Sequence, residues 1–179
     1  MNITIDRRSR NACRIEQRIR EIGDQAGRLA ARHLGGQLPQ VEIVLTDGNG
    51  VTRLTQDADL SLAGHTPWRR RAVGRVIDHW HARHAFAATA LTNRGALVAI
   101  NASRNSDLRE LDRTVIHELG HTVQLNQPGA GDQHVAYLRQ QYGITPHSKT
   151  DQREYERLID VREQQAEALE ALARQLPNH

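Results

Sequence analysis

Residues 95–124 read GALVAINASRNSDLRELDRTVIHELGHTVQ, and this stretch decides the fold because it joins a strand to a long helix. The apolar run Gly95 to Ala102 predicts a buried strand. Asp107 and Glu110, three residues apart, are typical of the paired caps that open a helix. We expect that helix to continue to about Asn126.

This helix has an apolar face and a face that carries histidines. At about 100° per residue, the apolar side chains fall on one side, and His117 and His121 project from nearly the opposite side. The apolar residues are Leu108, Leu111, Val115, Leu119 and Val123. Two histidines four positions apart lie one turn apart, so both imidazoles can bind one zinc ion. Glu118 lies beside them and can take a proton from a zinc-activated water as it attacks a carbonyl group.

The N-terminal third of the chain predicts a helix, a strand and a hairpin. Apolar residues at three- and four-residue steps indicate an amphipathic helix over Ala12–Leu34. Val41–Leu45 alternates in the manner of a strand, and Asp47-Gly48-Asn49-Gly50 is typical of a hairpin turn into Val51–Leu54. We interpret the polar stretch Thr55–His65 as a loop.

Three further helices and a single domain complete the prediction. Thr66-Pro67 is an N-cap followed by proline at the first helical position. A short helix is predicted at His134–Tyr142, and a long one, rich in Glu, Gln and Ala, runs from Asp151 to about Leu176. We expect one α+β domain over residues 1–179. Its parts are an N-terminal helix and hairpin (1–60), a catalytic core (95–142) and a C-terminal helix (151–177).

The segment Gly95 to Gln124 resembles the zincin metallopeptidases, whose signature is a helix carrying His-Glu-x-x-His behind an edge strand. The resemblance implies a small sheet whose edge strand packs on the active-site helix. It also implies one catalytic zinc ion, held by His117 and His121, and peptide-bond hydrolysis with Glu118 as general base. We expect the strand before the helix to pair with an extended peptide substrate by edge addition.

The sequence leaves two main candidates for the third zinc ligand, each suggested by a different metallopeptidase family. It excludes a third family, the metzincins. Catalytic zinc usually has three protein ligands and one water. The metzincin extension requires glycine at position 124 and histidine at position 127, where this chain has Gln124 and Gln127. His134 is the first candidate, because Gly129, Asp132, His134 and Tyr137 resemble the second helix of the SprT-like metallopeptidases. Val135 departs from that pattern, where the family has glycine.

Glu163 is the rival third ligand. Glu163-Gln164-Gln165-Ala166-Glu167 resembles the Glu-x-x-Ala-Asp helix of the gluzincins, in which the first glutamate binds zinc and the last acid orients a ligand histidine. A helix so rich in Glu, Gln and Ala produces such spacings by chance, so an ordinary solvated acidic face is the simpler interpretation. Glu154 and Glu156 are further alternatives.

Charge and composition leave nucleic acid open as a partner and exclude a disulfide scaffold. The formal charge is +3 and the sequence pI is about 9.6. A predicted basic helix carries Arg69-Arg70-Arg71 between Trp68 and Trp80, and it would suit DNA phosphates and bases. The single cysteine, Cys13, allows no internal disulfide. We find no signal peptide and no apolar membrane span, so we expect a cytoplasmic protein without membrane contact.

Together these features predict a zinc-dependent metalloendopeptidase that hydrolyses a protein or peptide substrate. The SprT-like resemblance implies substrates that are proteins associated with DNA. The gluzincin resemblance implies a minimal enzyme acting on one regulatory partner or as an effector. The remaining alternative is a non-catalytic, zincin-like binding module.

Overall fold

The computed structural model describes residues 1–6, 11–64, 86–146 and 148–177. The strands are β1 (Asn2–Ile5), β2 (Val41–Thr46), β3 (Ala87–Thr92) and β4 (Gly95–Asn101). The helices are α1 (Ala12–Leu34), α2 (Gly48–Ala63), α3 (Leu108–Leu125), α4 (Ala130–Gln141) and α5 (Lys149–Glu170), and a 3-10 turn follows at Ala171–Gln175. The protein has an α+β fold. None of the helices in the described ranges is both long enough and apolar enough to cross a membrane.

The four strands form one mixed sheet in the order β1-β2-β4-β3. β1 and β2 are parallel, as are β2 and β4, whereas β3 runs antiparallel to β4. Val98 of β4 therefore lies between Ile43 of β2 and Thr89 of β3. The strand just before the histidine helix is thus interior, and the prediction that it forms the edge was wrong. β3 takes the edge, because the tight turn at residues 93–94 folds it back beside β4.

Helices cover both faces of the sheet. Val98 and Ile100 of β4 join a core cluster with Ile19 of α1 and Ile116 of α3, and all four are almost fully buried. Successive side chains of a strand point to opposite faces, so Ala99 faces the other side, where α2 packs on β3 and β4. α3 is therefore held between the sheet, α1 and α5, with its histidine-bearing face turned away from the core.

A buried ion pair joins α1 to α3. Arg18 donates from Nε and from one terminal nitrogen to the two carboxylate oxygens of Asp112, at 2.9 and 2.6 Å. The same terminal nitrogen donates to the Pro177 carbonyl at 2.7 Å, which ties the end of the described chain to both helices. The hydrogen bond to Asp112 raises the pKa of the Arg18 guanidinium, so Arg18 is charged at every ordinary pH.

The predicted hairpin at residues 47–54 was wrong, because the segment is helical. The Asp47 side chain accepts a hydrogen bond from the Gly50 amide at 2.7 Å and caps α2. Asp followed by Gly-Asn-Gly suits a turn and a helix start equally well. The parallel pairing of β2 with β4 decides between them, because parallel strands need a long crossover connection. Residues 55–63, interpreted as loop, belong to this helix.

Other predicted elements agree more closely with the structure. α1 has the predicted bounds, and the predicted strand over Gly95 to Ala102 is β4. Asp107 caps α3 by accepting from the Arg109 amide. α4 begins four residues earlier than expected, and α5 ends at Glu170, before the 3-10 turn. β1 and β3 were not predicted, and the helix expected after Thr66-Pro67 lies outside the described residues.

Candidate metal centre

α3 places two imidazoles side by side on the face that is turned away from the core. The Nε2 atoms of His117 and His121 lie 3.1 Å apart, and the two rings meet edge to face. The side chains are 15% and 20% exposed, so solvent still reaches both rings. This is the one-turn pairing that the four-residue spacing predicts.

α5 brings a carboxylate to the same point. Glu163 Oε1 lies 3.2 Å from His117 Nε2, and its Oε2 lies 3.3 Å from His121 Nε2. Among the residues that the structure describes, these three form the one group of His, Cys, Asp or Glu side chains placed to hold a metal ion. The Glu163 side chain is 49% exposed, so solvent reaches the group from the α5 side.

The close approach of α5 depends on a glycine between the two histidines. Gly120 faces Leu169 and Ala166 of α5, and a Cβ atom at this position would collide with the Leu169 side chain. Leu169 and Ala166 are fully buried, so neither has room to move aside. The glycine lets the backbones of the two helices approach, and Glu163 thereby reaches the histidines.

Each histidine has a separate partner at its other ring nitrogen. His117 Nδ1 lies 3.0 Å from Glu170 Oε1, and His121 Nδ1 lies 2.9 Å from Gln124 Oε1. Gln124 is almost fully buried, and its Nε2 donates to the Arg162 carbonyl at 2.8 Å and to Gln165 Oε1 at 3.0 Å. Because that amide nitrogen has its acceptors on α5, the amide oxygen is the atom that faces His121.

The outer partners suit one tautomer of each ring. When Nδ1 of a neutral imidazole donates to the acceptor beside it, Nε2 carries no hydrogen. In that tautomer the two Nε2 lone pairs and the Glu163 carboxylate converge, and such a set of acceptors attracts a cation. The three side chains are therefore a candidate metal site.

Glu118 lies on the adjacent side of α3, pointing toward β3. It is 7% exposed, and its Oε2 accepts a hydrogen bond from the Thr89 hydroxyl at 2.7 Å. Burial raises the pKa of the Glu118 carboxyl, against a smaller lowering by His121 and by the Thr89 hydrogen bond, and the Glu163 charge raises it further. A carboxylate of raised pKa binds a proton more readily than a solvated one does, which suits it to proton transfer.

His134, the first candidate for the third ligand, lies elsewhere. Its Nδ1 lies 2.6 Å from the Tyr155 hydroxyl, and its Nε2 lies 3.8 Å from Asp59 Oδ1. Tyr155 stacks on Tyr137 with ring centroids 4.3 Å apart, so His134 belongs to an aromatic contact between α4 and α5. In the structure Glu163, and not His134, lies at the histidine pair, because α5 docks on α3 at that point.

The gluzincin-like pattern on α5 is matched in one of its two acidic positions. Glu163, its first residue, lies at the histidines, whereas Glu167, its last, is exposed. Glu170, three residues further on, contacts the ligand histidine instead. The further alternatives Glu154 and Glu156 are exposed and outside the group, and Arg69-Arg70-Arg71 lies outside the described residues.

Three residues of this site were not predicted from the sequence. Glu170 follows Glu163 by two helical turns, a spacing that could have identified it once α5 was known to dock at the histidines. Gln124 shares the face of His121, but a lone glutamine carries no signal by itself. Thr89 was missed because β3 was not predicted. The chain matches no protein-family model, no curated protein and no solved structure.

Proposed function

We propose that this chain is a zinc-dependent metallopeptidase whose zinc ligands are His117, His121 and Glu163. One observation carries the proposal: the Nε2 atoms of His117 and His121 and the carboxylate oxygens of Glu163 approach one another at 3.1–3.3 Å. Donors about 2.0–2.1 Å from a tetrahedral zinc ion are roughly 3.3–3.4 Å apart. The donor atoms therefore have close to the separation that one zinc ion needs.

The chemical types of the donors favour zinc and leave one coordination position for chemistry. Two imidazoles and one carboxylate are a known catalytic zinc set, and structural zinc sites usually have four protein ligands instead. When bound, zinc supplies a Lewis acid that lowers the pKa of a water molecule and polarises a substrate carbonyl group. The chain itself orients the three ligands: Glu170 and Gln124 hold the two imidazole rings, and α5 positions Glu163.

Glu118 would act as the general base. The Thr89 hydroxyl holds one carboxylate oxygen, and no described side chain donates to the other oxygen, which can receive the proton of the attacking water. The carboxyl can then return that proton to the departing amine, which completes peptide-bond hydrolysis. Burial beside the ligands makes this role more suitable for Glu118 than for any solvated acid on α5.

The outer edge of β3 gives a peptide substrate a place to bind. The Phe86 carbonyl accepts from the Asn101 amide, so hydrogen bonds to β4 alternate from there along β3. The main-chain groups of Ala87, Thr89 and Leu91 therefore point away from β4, and no described strand pairs with them. Because Thr89 also contacts Glu118, a peptide added to this edge would pass beside the general base.

Of the two family resemblances, the position of Glu163 favours the minimal gluzincin. Action on DNA-associated proteins loses its main support, because His134 is not at the histidine pair. A non-catalytic binding module, in which zinc is absent or structural, would have no use for a buried carboxylate at Glu118. We therefore retain the peptidase as the proposal and the binding module as the alternative that experiment must exclude.

The first test is the zinc content of purified protein by elemental mass spectrometry. We expect one zinc ion per chain in the parent and in His134→Ala, and a loss of zinc in Glu163→Ala. His134→Ala is the matched control, since it removes a partly buried histidine outside the group. Zinc loss with His134→Ala but not with Glu163→Ala would contradict the assignment, as would a parent that binds no zinc after reconstitution.

The second test separates an enzyme from a binding module. Cleavage of a mixture of unstructured peptides is followed by mass spectrometry for the parent and for Glu118→Gln, each with its zinc content measured. We expect Glu118→Gln to keep zinc and to lose peptide hydrolysis. A zinc-loaded parent that cleaves no peptide would support the binding module instead.

A further inference from the structure

A basic cleft opens at the end of α3 opposite to its metal-binding turn. Its volume is about 480 Å³, and it lies between α3, α1 and the 3-10 turn that follows α5. Charged side chains line it from three elements: Arg18, Arg109, Asp112, Arg113 and Arg174. The apolar Leu176 and Pro177 form the remaining wall.

The cleft and the candidate metal site lie along the same helix, α3. Arg109, Arg113, His117 and His121 follow one another at four-residue steps, so they form one stripe on α3. Four residues of helix span about 6 Å, which places Arg113 about 6 Å and Arg109 about 12 Å from His117 along the axis. On the other wall, Arg174 follows Glu170 by four residues, and Glu170 contacts His117.

Three of the four arginines in this cleft are available to a ligand. Arg18 is neutralised by Asp112 in the buried pair. Arg113 contacts Glu110 at 2.9 Å, but both side chains are about half exposed, so the pair is weak and can exchange for another carboxylate. Arg109 and Arg174 are exposed, and neither forms an ion pair with any residue in the described ranges.

We propose that Arg109, Arg113 and Arg174 bind a carboxylate of the peptide substrate, so the peptidase prefers an acidic group close to the bond it cleaves. This inference rests on the proposed function, because only a peptidase has a bond that it cleaves. An extended peptide advances about 3.3 Å per residue. A distance of about 6–12 Å from the metal site therefore corresponds to roughly two to four residues from the scissile bond.

A carboxylate fits the charge of this cleft better than a nucleic acid does. Four arginines line it, and three carboxylates pair with them, which leaves about one excess positive charge. The carboxylates are those of Asp112, Glu110 and Glu21. One excess charge balances one carboxylate, whereas nucleic-acid binding depends on neutralising several phosphates at once. The planar guanidinium fork also matches a carboxylate in a bidentate manner.

The test compares matched peptides that differ only in a single carboxylate. The parent sequence is any peptide that the zinc-loaded protein cleaves, amidated at its C-terminus and free of acidic residues. Glutamate is then placed at each position two to four residues on either side of the cleaved bond. A further peptide of the same neutral sequence has a free C-terminus, so that side-chain and terminal carboxylates are distinguished. We expect kcat/KM to rise about 10- to 100-fold for the best acidic peptide.

The arginine variants decide whether this preference belongs to the cleft. Arg113→Gln and Arg174→Gln should each lower kcat/KM for the acidic peptide far more than for the neutral peptide, and so remove most of the preference. Arg139→Gln, an exposed arginine on α4 outside the cleft, is the matched control and should keep the preference. Equal rates for acidic and neutral peptides, or a preference that survives both variants, would overturn the proposal.

A binding measurement keeps the cleft proposal separate from the peptidase proposal. Fluorescence anisotropy of labelled acidic and neutral peptides is measured on zinc-loaded Glu118→Gln with and without Arg174→Gln. Tighter binding of the acidic peptide that requires Arg174 supports the cleft, even if the parent cleaves nothing and the peptidase proposal fails. Binding that does not distinguish the peptides, or displacement of the acidic peptide by a single-stranded oligonucleotide at lower concentration, counts against it.

Discussion

Glu163 and Glu170 lie two turns apart on α5 and contact opposite nitrogens of the same imidazole, that of His117. Glu163 Oε1 lies 3.2 Å from Nε2, and Glu170 Oε1 lies 3.0 Å from Nδ1. One helix therefore supplies both the proposed third ligand and the group that orients the first ligand. Any shift of α5 along or away from α3 changes both contacts together, so zinc affinity should depend on the docking of this helix.

Removing the outer contact of His117 should weaken zinc binding without abolishing it. We expect Glu170→Ala to lower zinc affinity about 10- to 100-fold, because the ring loses the acceptor that fixes its tautomer and orientation. The zinc affinity of Glu170→Gln should lie between those of Glu170→Ala and the parent, since the amide oxygen can still accept from Nδ1. The measurement is competition with a chromogenic chelator.

The matched control for this pair of variants is Glu167→Ala, an exposed glutamate on the same helix. It should leave the affinity unchanged. If Glu167→Ala weakens zinc binding as strongly as Glu170→Ala does, the last acid of the gluzincin-like pattern has the role assigned here to Glu170.

Adding one methyl group at Gly120 should separate α5 from α3. The new Cβ would collide with the buried Leu169 side chain, so we expect Gly120→Ala to destabilise the fold by about 1–3 kcal/mol. Zinc affinity should fall as well, because Glu163 and Glu170 move with α5. Urea unfolding and chelator competition measure the two effects.

Gly131→Ala is the control for helix propensity. Gly131 lies inside α4, and a Cβ there would meet only ordinary van der Waals contacts at 3.7 and 3.8 Å. We expect this variant to be neutral or up to about 1 kcal/mol more stable than the parent. Equal stability of Gly120→Ala and the parent would mean that α5 does not dock on α3 at this position.

Breaking the buried pair of Arg18 and Asp112 should be costly to the fold. Their side chains are 3% and 8% exposed, so either single alanine variant leaves a buried charge without its partner. We expect each to lower the free energy of unfolding by about 3–5 kcal/mol. Arg20 and Glu16 on α1 form a more exposed pair. An alanine variant of either residue should lower the free energy of unfolding by about 1 kcal/mol or less. Urea denaturation of the metal-free protein compares the two pairs, and equal costs would contradict the burial of the first.

The buried carboxyl of Glu118 should make the metal-free protein less stable as pH rises. Burial raises its folded-state pKa above the unfolded value of about 4.3. Between those two values the folded state binds more protons than the unfolded state, so stability falls as pH increases through this window. Glu118→Gln removes the titration and keeps an acceptor for the Thr89 hydroxyl.

The advantage in melting temperature of Glu118→Gln over the parent should therefore grow as pH rises from about 4, then level off above the folded-state pKa. Differential scanning calorimetry in the presence of a chelator measures it, and the difference between the two proteins cancels the titrations they share. An advantage that shrinks with rising pH would reverse the assigned direction of the pKa shift.

The amino-acid sequence alone was sufficient for the local parts of the candidate site. The four-residue spacing of His117 and His121 places both rings on one helical face in any context, because helix geometry depends only on the backbone. Asp107 and the apolar stripe likewise locate α3 to within about a residue. Both features depend on contacts within one or two turns, which is the range over which sequence patterns are informative.

The tertiary structure decided the third donor and the position of the edge strand. α5 carries several glutamates at helical spacing, and only the close contact of Gly120 with Leu169 selects Glu163 and Glu170 from among them. Asp47-Gly48-Asn49-Gly50 suits a hairpin and a helix start alike, and the parallel pairing of β2 with β4 selects the helix. In each case the local interactions of the alternatives are nearly equal in free energy. Contacts with residues far away in the chain therefore select one alternative, and a local sequence pattern does not reveal those contacts.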